Sequence, residues 1–207
     1  MAEIQSIKQL SENRFVNLFH VQGENSKGHH SNYFVASRAK TVDELKINTG
    51  KVSADGVAIY ALYGEARDRV VLIRQWRYPI GTWVYEFPAG LCEPGENYHQ
   101  AAVREMHEET GLTFSPIEAD PMYEAPRFTT VGMTDEAVAT VYGYASGELS
   151  TKFEESSEEI ETILADREEV RRILKEERVA LLCAYQLAHF LQDEEPFAFL
   201  QKGDEKG

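Results

Sequence analysis

Apolar positions recur along this chain with two different periods. RFVNLFHVQ and SNYFVASRA alternate weakly on either side of the polar stretch NSKGHHS, which predicts a hairpin over residues 14–39. TVDELKINTG carries no clear period and reads as a connection. VAIYALY and RVVLIRQWR are β-rich runs joined by a polar, Gly-containing turn, and WVYEFPAG is a further short strand closed by Pro88 and Gly90. From Asn97 to Thr110 the spacing turns helical, with Asn97 as cap, Gln100 completing a box-like pair and Gly111 as the stop.

FSPIEADPMYEAPRFTTVGMTDE is turn-rich with strand character at its centre, while EAVATVYGYA and IETILA read as strands around the polar loop LSTKFEESSEE. DREEVRRILKEER starts a helix capped by Asp166, and VALLCAYQLAHFLQD continues it, with Leu181, Ala184, Tyr185, Ala188 and Leu191 as a buried stripe. The tail EEPFAFLQKGDEKG ends polar and is expected to fray. The pattern is α+β, with an N-terminal β region over residues 1–50 and a larger domain over 51–207.

Composition narrows the partners. A net charge of -14 argues against a nucleic-acid surface, which needs clustered Lys and Arg. It leaves room for a small phosphate-bearing ligand, provided that metal ions supply the positive charge. Cys92 and Cys183 form neither a metal-like pair nor a disulfide framework, which fits a reducing cytoplasm. The N-terminal MAEIQSIKQLSENRF lacks the apolar core of a signal peptide. No apolar run reaches the ~18 residues of a membrane span, so no membrane partner is expected. His29-His30 lacks a Cys/His partner pattern and carries no zinc site.

The densest chemistry is REMHEE, residues 104–109. At about 100° per residue, Glu105, Glu108 and Glu109 fall within an arc of roughly 100°. Val103, Met106 and Thr110 would then form the stripe that packs on a sheet. Acidic pairs on helices are ordinarily solvated faces. Here the loop GLCEPGE, with Gly90, Pro94 and Gly95, feeds the helix directly and can turn a backbone carbonyl toward the same place. Converging carboxylates are ligands for a hard cation such as Mg²⁺ or Mn²⁺, and Arg104 at the edge of the arc can hold one of them in place.

Read whole, the segment runs Gly90, five residues, Glu96, seven residues, Arg104-Glu105, Met106, one residue, Glu108-Glu109, one residue, Gly111-Leu112. This resembles the Nudix box, the signature of Nudix hydrolases. The resemblance implies an α/β/α sandwich with a mixed β-sheet and metal-dependent cleavage of a diphosphate. It implies Glu105, Glu109 and the Ala89 carbonyl as metal ligands, and Glu108 and Arg104 as catalytic-site residues. Gly90, Glu96 and Gly111 would shape the loop and helix.

Outside the box, RQWRYPIGTWVYEFPAG resembles the approach to it in ADP-ribose pyrophosphatases and related nucleotide-sugar hydrolases, over roughly residues 55–192. Arg74, Arg77 and Glu86 are candidate substrate-binding residues, with one arginine contacting phosphate while the other pairs with an acid; the likeness implies a nucleoside diphosphate sugar split into a nucleoside monophosphate and a sugar phosphate. It also implies a homodimer to which the N-terminal β region contributes. The pattern departs at VGMTDE, where Val131-Gly132 stands in the place of Pro-Gly.

The same likeness implies a catalytic carboxylate from the loop before the last strand, here FEESSEEIETILA, with Glu158 the best match by distance from the following strand. Glu154, Glu155, Glu159 and Glu136 are its alternatives. Trp76, Trp83, Phe15 and Phe19 are candidates for stacking a base, against core packing or the dimer interface as the other readings of each. Two other readings stay open: a Nudix-type module that senses such a ligand without cleaving it, and a hydrolase of another nucleoside diphosphate derivative such as a dinucleotide.

Overall fold

A computed structural model describes residues 1–153 and 159–200. Its strands are β1 (Glu3–Gln9), β2 (Asn17–Glu24), β3 (His30–Ser37), β4 (Gly56–Tyr63), β5 (Arg69–Arg77), β6 (Thr82–Glu86), β7 (Ala89–Leu91), β8 (Thr113–Pro116), β9 (Arg127–Phe128), β10 (Ala137–Ser146) and β11 (Ile160–Ala165). Its helices are α1 (Lys46–Thr49), α2 (Tyr98–Thr110), α3 (Pro121–Glu124), α4 (Arg167–Glu176) and α5 (Leu181–Gln192). The chain divides into two compact units, Met1–Asp55 with Pro126–Val138, and Gly56–Ala125 with Ala139–Gly207.

In the first unit β1, β2 and β3 form an antiparallel sheet in that order. The predicted hairpin is β2–β3, and β2 alternates cleanly, burying Asn17, Phe19, Val21 and Gly23. Phe19 is fully buried, so it packs the core and offers no face for stacking a base. β1 was not legible, because EIQSIKQ is exposed along most of its length and shows no apolar alternation. The returning segment is fastened to this unit by polar contacts. The Ala36 amide donates to the Met133 carbonyl at 2.8 Å, Arg38 pairs with Glu136 at 2.9 Å, and the Lys46 amide donates to Asp135 at 3.2 Å. Glu136, one of the candidate proton acceptors, is thus held by Arg38.

The second unit is built on a mixed sheet, ordered β11-β5-β4-β10-β8, with β6 paired to β5 and β7 to β4. Amide-to-carbonyl bonds from Asp55 to Ala137 and from Gly64 to Ala145 advance in the same direction along β4 and β10, so these two strands run parallel. The other registered pairs in this sheet are antiparallel. β4 is apolar on both faces and buried throughout most of its length, as a strand covered on both sides must be. Val57, Ile59, Ala61 and Val71 pack with Ala102 and Met106 of α2. Tyr60, Leu72 and Tyr142 pack with Val170 and Ile173 of α4 and with Leu187 and Phe190 of α5. Helices on both faces of one sheet make the α/β/α sandwich expected from the sequence.

Three expectations change. The C-terminal helix is not continuous: α4 ends at Glu176, and Arg178–Ala180 leave the helix to bond Tyr85 of β6 through both its amide and its carbonyl. The buried stripe of α5 is Cys183, Leu187 and Phe190, while Leu181 and Tyr185 are 71% and 72% exposed. This helix is apolar nearly all round, so its period was readable and its phase was not. Finally, the tail is docked as far as it is described, since Phe197 and Leu200 are buried in the α4/α5 core. Burial pushes the Cys183 thiol well above its ordinary value, so that side chain serves as core.

Candidate functional site

α2 begins with a reciprocal cap. The Asn97 side chain accepts the Gln100 amide, and the Gln100 side chain accepts the Asn97 amide. It ends at Gly111 in the left-handed region (φ 75°), where a Cβ would also meet Ser150 at 2.6 Å. The residues buried along it are Ala101, Ala102, Met106, Glu109 and Thr110. Val103, placed on the packing stripe by the sequence reading, is instead 41% exposed. On a 100° wheel Glu109 lies near the centre of the buried arc. The carboxylate face therefore overlaps the packing face rather than opposing it.

That geometry sends two carboxylates to one short piece of backbone. The Glu109 carboxylate, on a residue only 3% exposed, accepts the Ala89 amide at 3.0 Å. The Glu105 carboxyl lies against Gly90, where an added Cβ would stand 1.9 Å from Cδ and 2.0 Å from Oε1. Gly90 is needed there for close approach. Ala89 and Gly90 are themselves fixed by pairing with Ala58 and Val57 of β4.

Arg104 ties the loop to the helix. Its guanidinium donates to Glu96 at 3.1 and 2.9 Å, to Glu105 at 2.8 Å, to Glu108 at 2.9 Å and to the Leu91 carbonyl at 2.9 Å. Glu96 also accepts the Glu93 amide at 3.0 Å. The hydrogen bond from Arg104 holds the Glu96 carboxyl below its ordinary range, and Arg104 is correspondingly pushed up, first by Glu96. Arg104, Glu96 and Gly90 make contacts within the loop and its junction with α2, and Gly111 ends α2.

The three residues expected to bind substrate do not share one face. Successive strand residues point to opposite sides. Arg77 and Glu86 have the parity of Val71, Ile73 and Gln75, on the α2 side of the sheet, and they form an ion pair. Arg74 has the parity of Leu72, on the α4/α5 side, where it pairs with Glu161 at 3.0 Å and lies over the Trp83 ring at 5.0 Å. Trp76 and Trp83 are cross-strand partners in edge contact, with centroids 6.0 Å apart. Glu158, with Glu154 and Glu155, lies outside the described residues. The Glu159 carbonyl accepts the Trp76 amide at 3.1 Å.

A NUDIX-domain family model matches residues 52–185, well over half of the chain. The chain belongs to the Nudix family. This Nudix chain is 33% identical over 123 residues to the putative nudix hydrolase 2 of Caenorhabditis elegans, covering 56% of the chain and 54% of that relative. It is 37% identical over 87 residues to the ADP-sugar pyrophosphatase of Mus musculus (41% and 40% covered). It is 30% identical over 104 residues to the ADP-ribose pyrophosphatase of Bacillus subtilis (47% and 53% covered). The matched stretches span about half the length of these curated relatives or less. A crystal structure of an ADP compounds hydrolase shares the fold, with a TM-score of 0.59 at 16% identity, covering 84% of this chain and 83% of that one.

A Nudix fold raises the question of a divalent ion. Among the described residues no group of three or more His, Cys, Asp or Glu side chains is gathered as a metal cluster. Arg104 takes Glu96, Glu105 and Glu108 as its ion-pair partners. The donor chemistry nevertheless fits a hard cation. Glu105 and Glu109 supply carboxylate oxygens at Ala89–Gly90, and Mg²⁺ commonly takes one or two carboxylates and completes its shell with water and phosphate.

Two features of this Nudix domain escaped the sequence reading. The Thr162 hydroxyl donates to the Glu109 carbonyl at 3.2 Å, and buried Glu124 bonds His99 at 3.1 Å. Both are long-range contacts made by residues outside any local motif, so no signal in the sequence marks them.

Proposed function

We propose that this Nudix chain hydrolyses the diphosphate of ADP-ribose or a similar nucleoside diphosphate sugar, giving a nucleoside monophosphate and a sugar phosphate, with Mg²⁺ or Mn²⁺ bound. The observation that carries the reading is the convergence of Glu105 and Glu109 on Ala89–Gly90, with Arg104 ordering the loop. Two relatives support the substrate class, an ADP-sugar pyrophosphatase and an ADP-ribose pyrophosphatase.

In this reading Glu105, Glu109 and the Ala89 carbonyl would hold the ion, with Glu108 beside them. A bound divalent cation neutralises the diphosphate and lowers the pKa of water, so that hydroxide is available near neutral pH. The chain's own residues do the rest. Arg104 fixes the rotamers of Glu105 and Glu108 and stays cationic throughout. Arg77, oriented by Glu86, directs its guanidinium to a phosphate oxygen. Water attacks one phosphorus, the bridging P–O bond breaks, and the proton passes to a carboxylate, for which Glu158 is our assignment.

Exposed Phe15, Tyr33 and Phe34 in the first unit favour a homodimer through the N-terminal β region, which sedimentation equilibrium would check. Neither cysteine is in a disulfide, in keeping with a cytoplasmic setting, and no described helix is long and apolar enough to cross a membrane.

The test is turnover with Mg²⁺ across ADP-ribose, other nucleotide sugars, NADH, diadenosine polyphosphates and nucleoside triphosphates. Preferred cleavage of a nucleotide sugar supports the reading. Tight binding of these ligands without turnover of any would replace the hydrolase with a sensor.

A further inference from the structure

Thr162 lies outside the box, yet it touches the most buried carboxylate residue of α2. The last carbonyls of a helix have no partner within it and must find one elsewhere. At the end of α2, His107 accepts the Gly111 amide at 2.9 Å and Thr110 accepts the Ser150 amide at 3.0 Å. The Glu109 carbonyl accepts the Thr162 hydroxyl at 3.2 Å. Thr162 stands opposite Ile73 in the β11–β5 pairing, with the parity of Leu164, which stands opposite Val71 and packs on the α2 side. Its side chain therefore comes up from the sheet beneath the helix end.

The Glu109 carboxylate is held by the Ala89 amide at 3.0 Å and its carbonyl by Thr162. One contact belongs to β7, which pairs with β4, and the other to β11, which pairs with β5. We infer that Thr162 is a positioning residue: its hydroxyl fixes the last turn of α2 and so the place from which the Glu109 carboxylate reaches Ala89–Gly90. The inference rests on the metal-site reading above and deepens it. A part-buried carbonyl at a helix end that loses a hydrogen-bond donor is less firmly placed. A carboxylate on that turn moves with it. Outer contacts of this kind commonly change metal affinity without touching the metal.

The discriminating experiment uses the full chain as wild type, Thr162→Val, Thr162→Ser and Thr162→Ala. Mn²⁺ binding is read by the EPR signal of the free ion, and stability by the urea midpoint. Valine keeps the β-branched shape and removes the donor; serine keeps the donor. We expect Thr162→Val to weaken Mn²⁺ binding about five- to tenfold and to raise the Mg²⁺ concentration for half-activation by a similar factor. Thr162→Ser should restore both. Should the valine variant not fold, Thr162→Ala carries the same expectation.

Equal Mn²⁺ affinity in wild type and the valine or alanine variant, whatever the urea midpoint does, overturns the positioning role and leaves a plain structural one. Loss of affinity in the serine variant as large as in valine overturns it too. A wild-type chain that takes up no Mn²⁺ sinks the metal-site reading itself, which is a different and separately visible failure.

Discussion

Glu109 shows what residue-level reading can and cannot reach. Spacing alone placed Glu105, Glu108 and Glu109 within one arc. It did not show that Glu109 is 3% exposed, because the apolar positions of α2 are too few to fix which side faces the sheet. Burial changes what a substitution should do. Glu109→Gln retains an oxygen that can accept the Ala89 amide, so the helix should stay docked. It also removes a charge from a poorly solvated position, so the metal-free variant should melt no lower than wild type. Mg²⁺-dependent turnover should fall at least about tenfold. Thermal melts and turnover on the same preparation check both halves; near-wild-type rates would remove Glu109 from the ligand set. Contacts such as Thr162–Glu109 and Arg77–Glu86 depend on strand register, which residue types do not carry.

At the scale of elements, the strands with strong β character were legible at nearly their true limits, as in RVVLIRQWR for β5 and IETILA for β11. Helix α4 was marked by its cap, Asp166, whose side chain accepts the amides of Glu168 and Glu169 at 2.9 Å. What the local pattern missed was its end, since the bonds of Arg178 and Ala180 to Tyr85 come from a strand remote in sequence.

α4 also carries a testable charge pair. Arg172 donates to Glu169 at 2.9 and 2.7 Å, and this hydrogen bonding holds the Glu169 carboxyl below its ordinary 4.5. A carboxylate with a depressed folded pKa contributes stability that is present above the unfolded value and lost as pH falls through the folded one. Urea midpoints of wild type and Arg172→Met should therefore differ at pH 7 and draw together as pH drops below 4.5. A gap that does not narrow at all as pH falls below 4.5 would mean that Arg172 acts through its stem packing or its other contacts, to Glu177 and the Tyr85 hydroxyl, rather than through Glu169. The pair is half-exposed, so the gap at pH 7 should be small.

For the whole molecule, the sequence reading separated an N-terminal β region from the rest but could not see that Pro126–Val138 clusters with it. That segment reads locally as turns, and the contacts that recruit it, such as Arg38–Glu136, join residues far apart in the chain. Net charge, by contrast, needs no structure. A chain of charge -14 repels an anionic diphosphate at long range. The Debye length is about 30 Å at 0.01 M ionic strength and about 8 Å at 0.15 M, so salt should screen most of that repulsion while leaving contacts inside the site intact. With Mg²⁺ saturating, kcat/KM for the preferred nucleotide sugar should rise about twofold or more between these salt concentrations, with kcat nearly constant. A steep fall instead would mean that Arg77 and the bound cations set the field the substrate meets, and that the net charge lies too far away to matter.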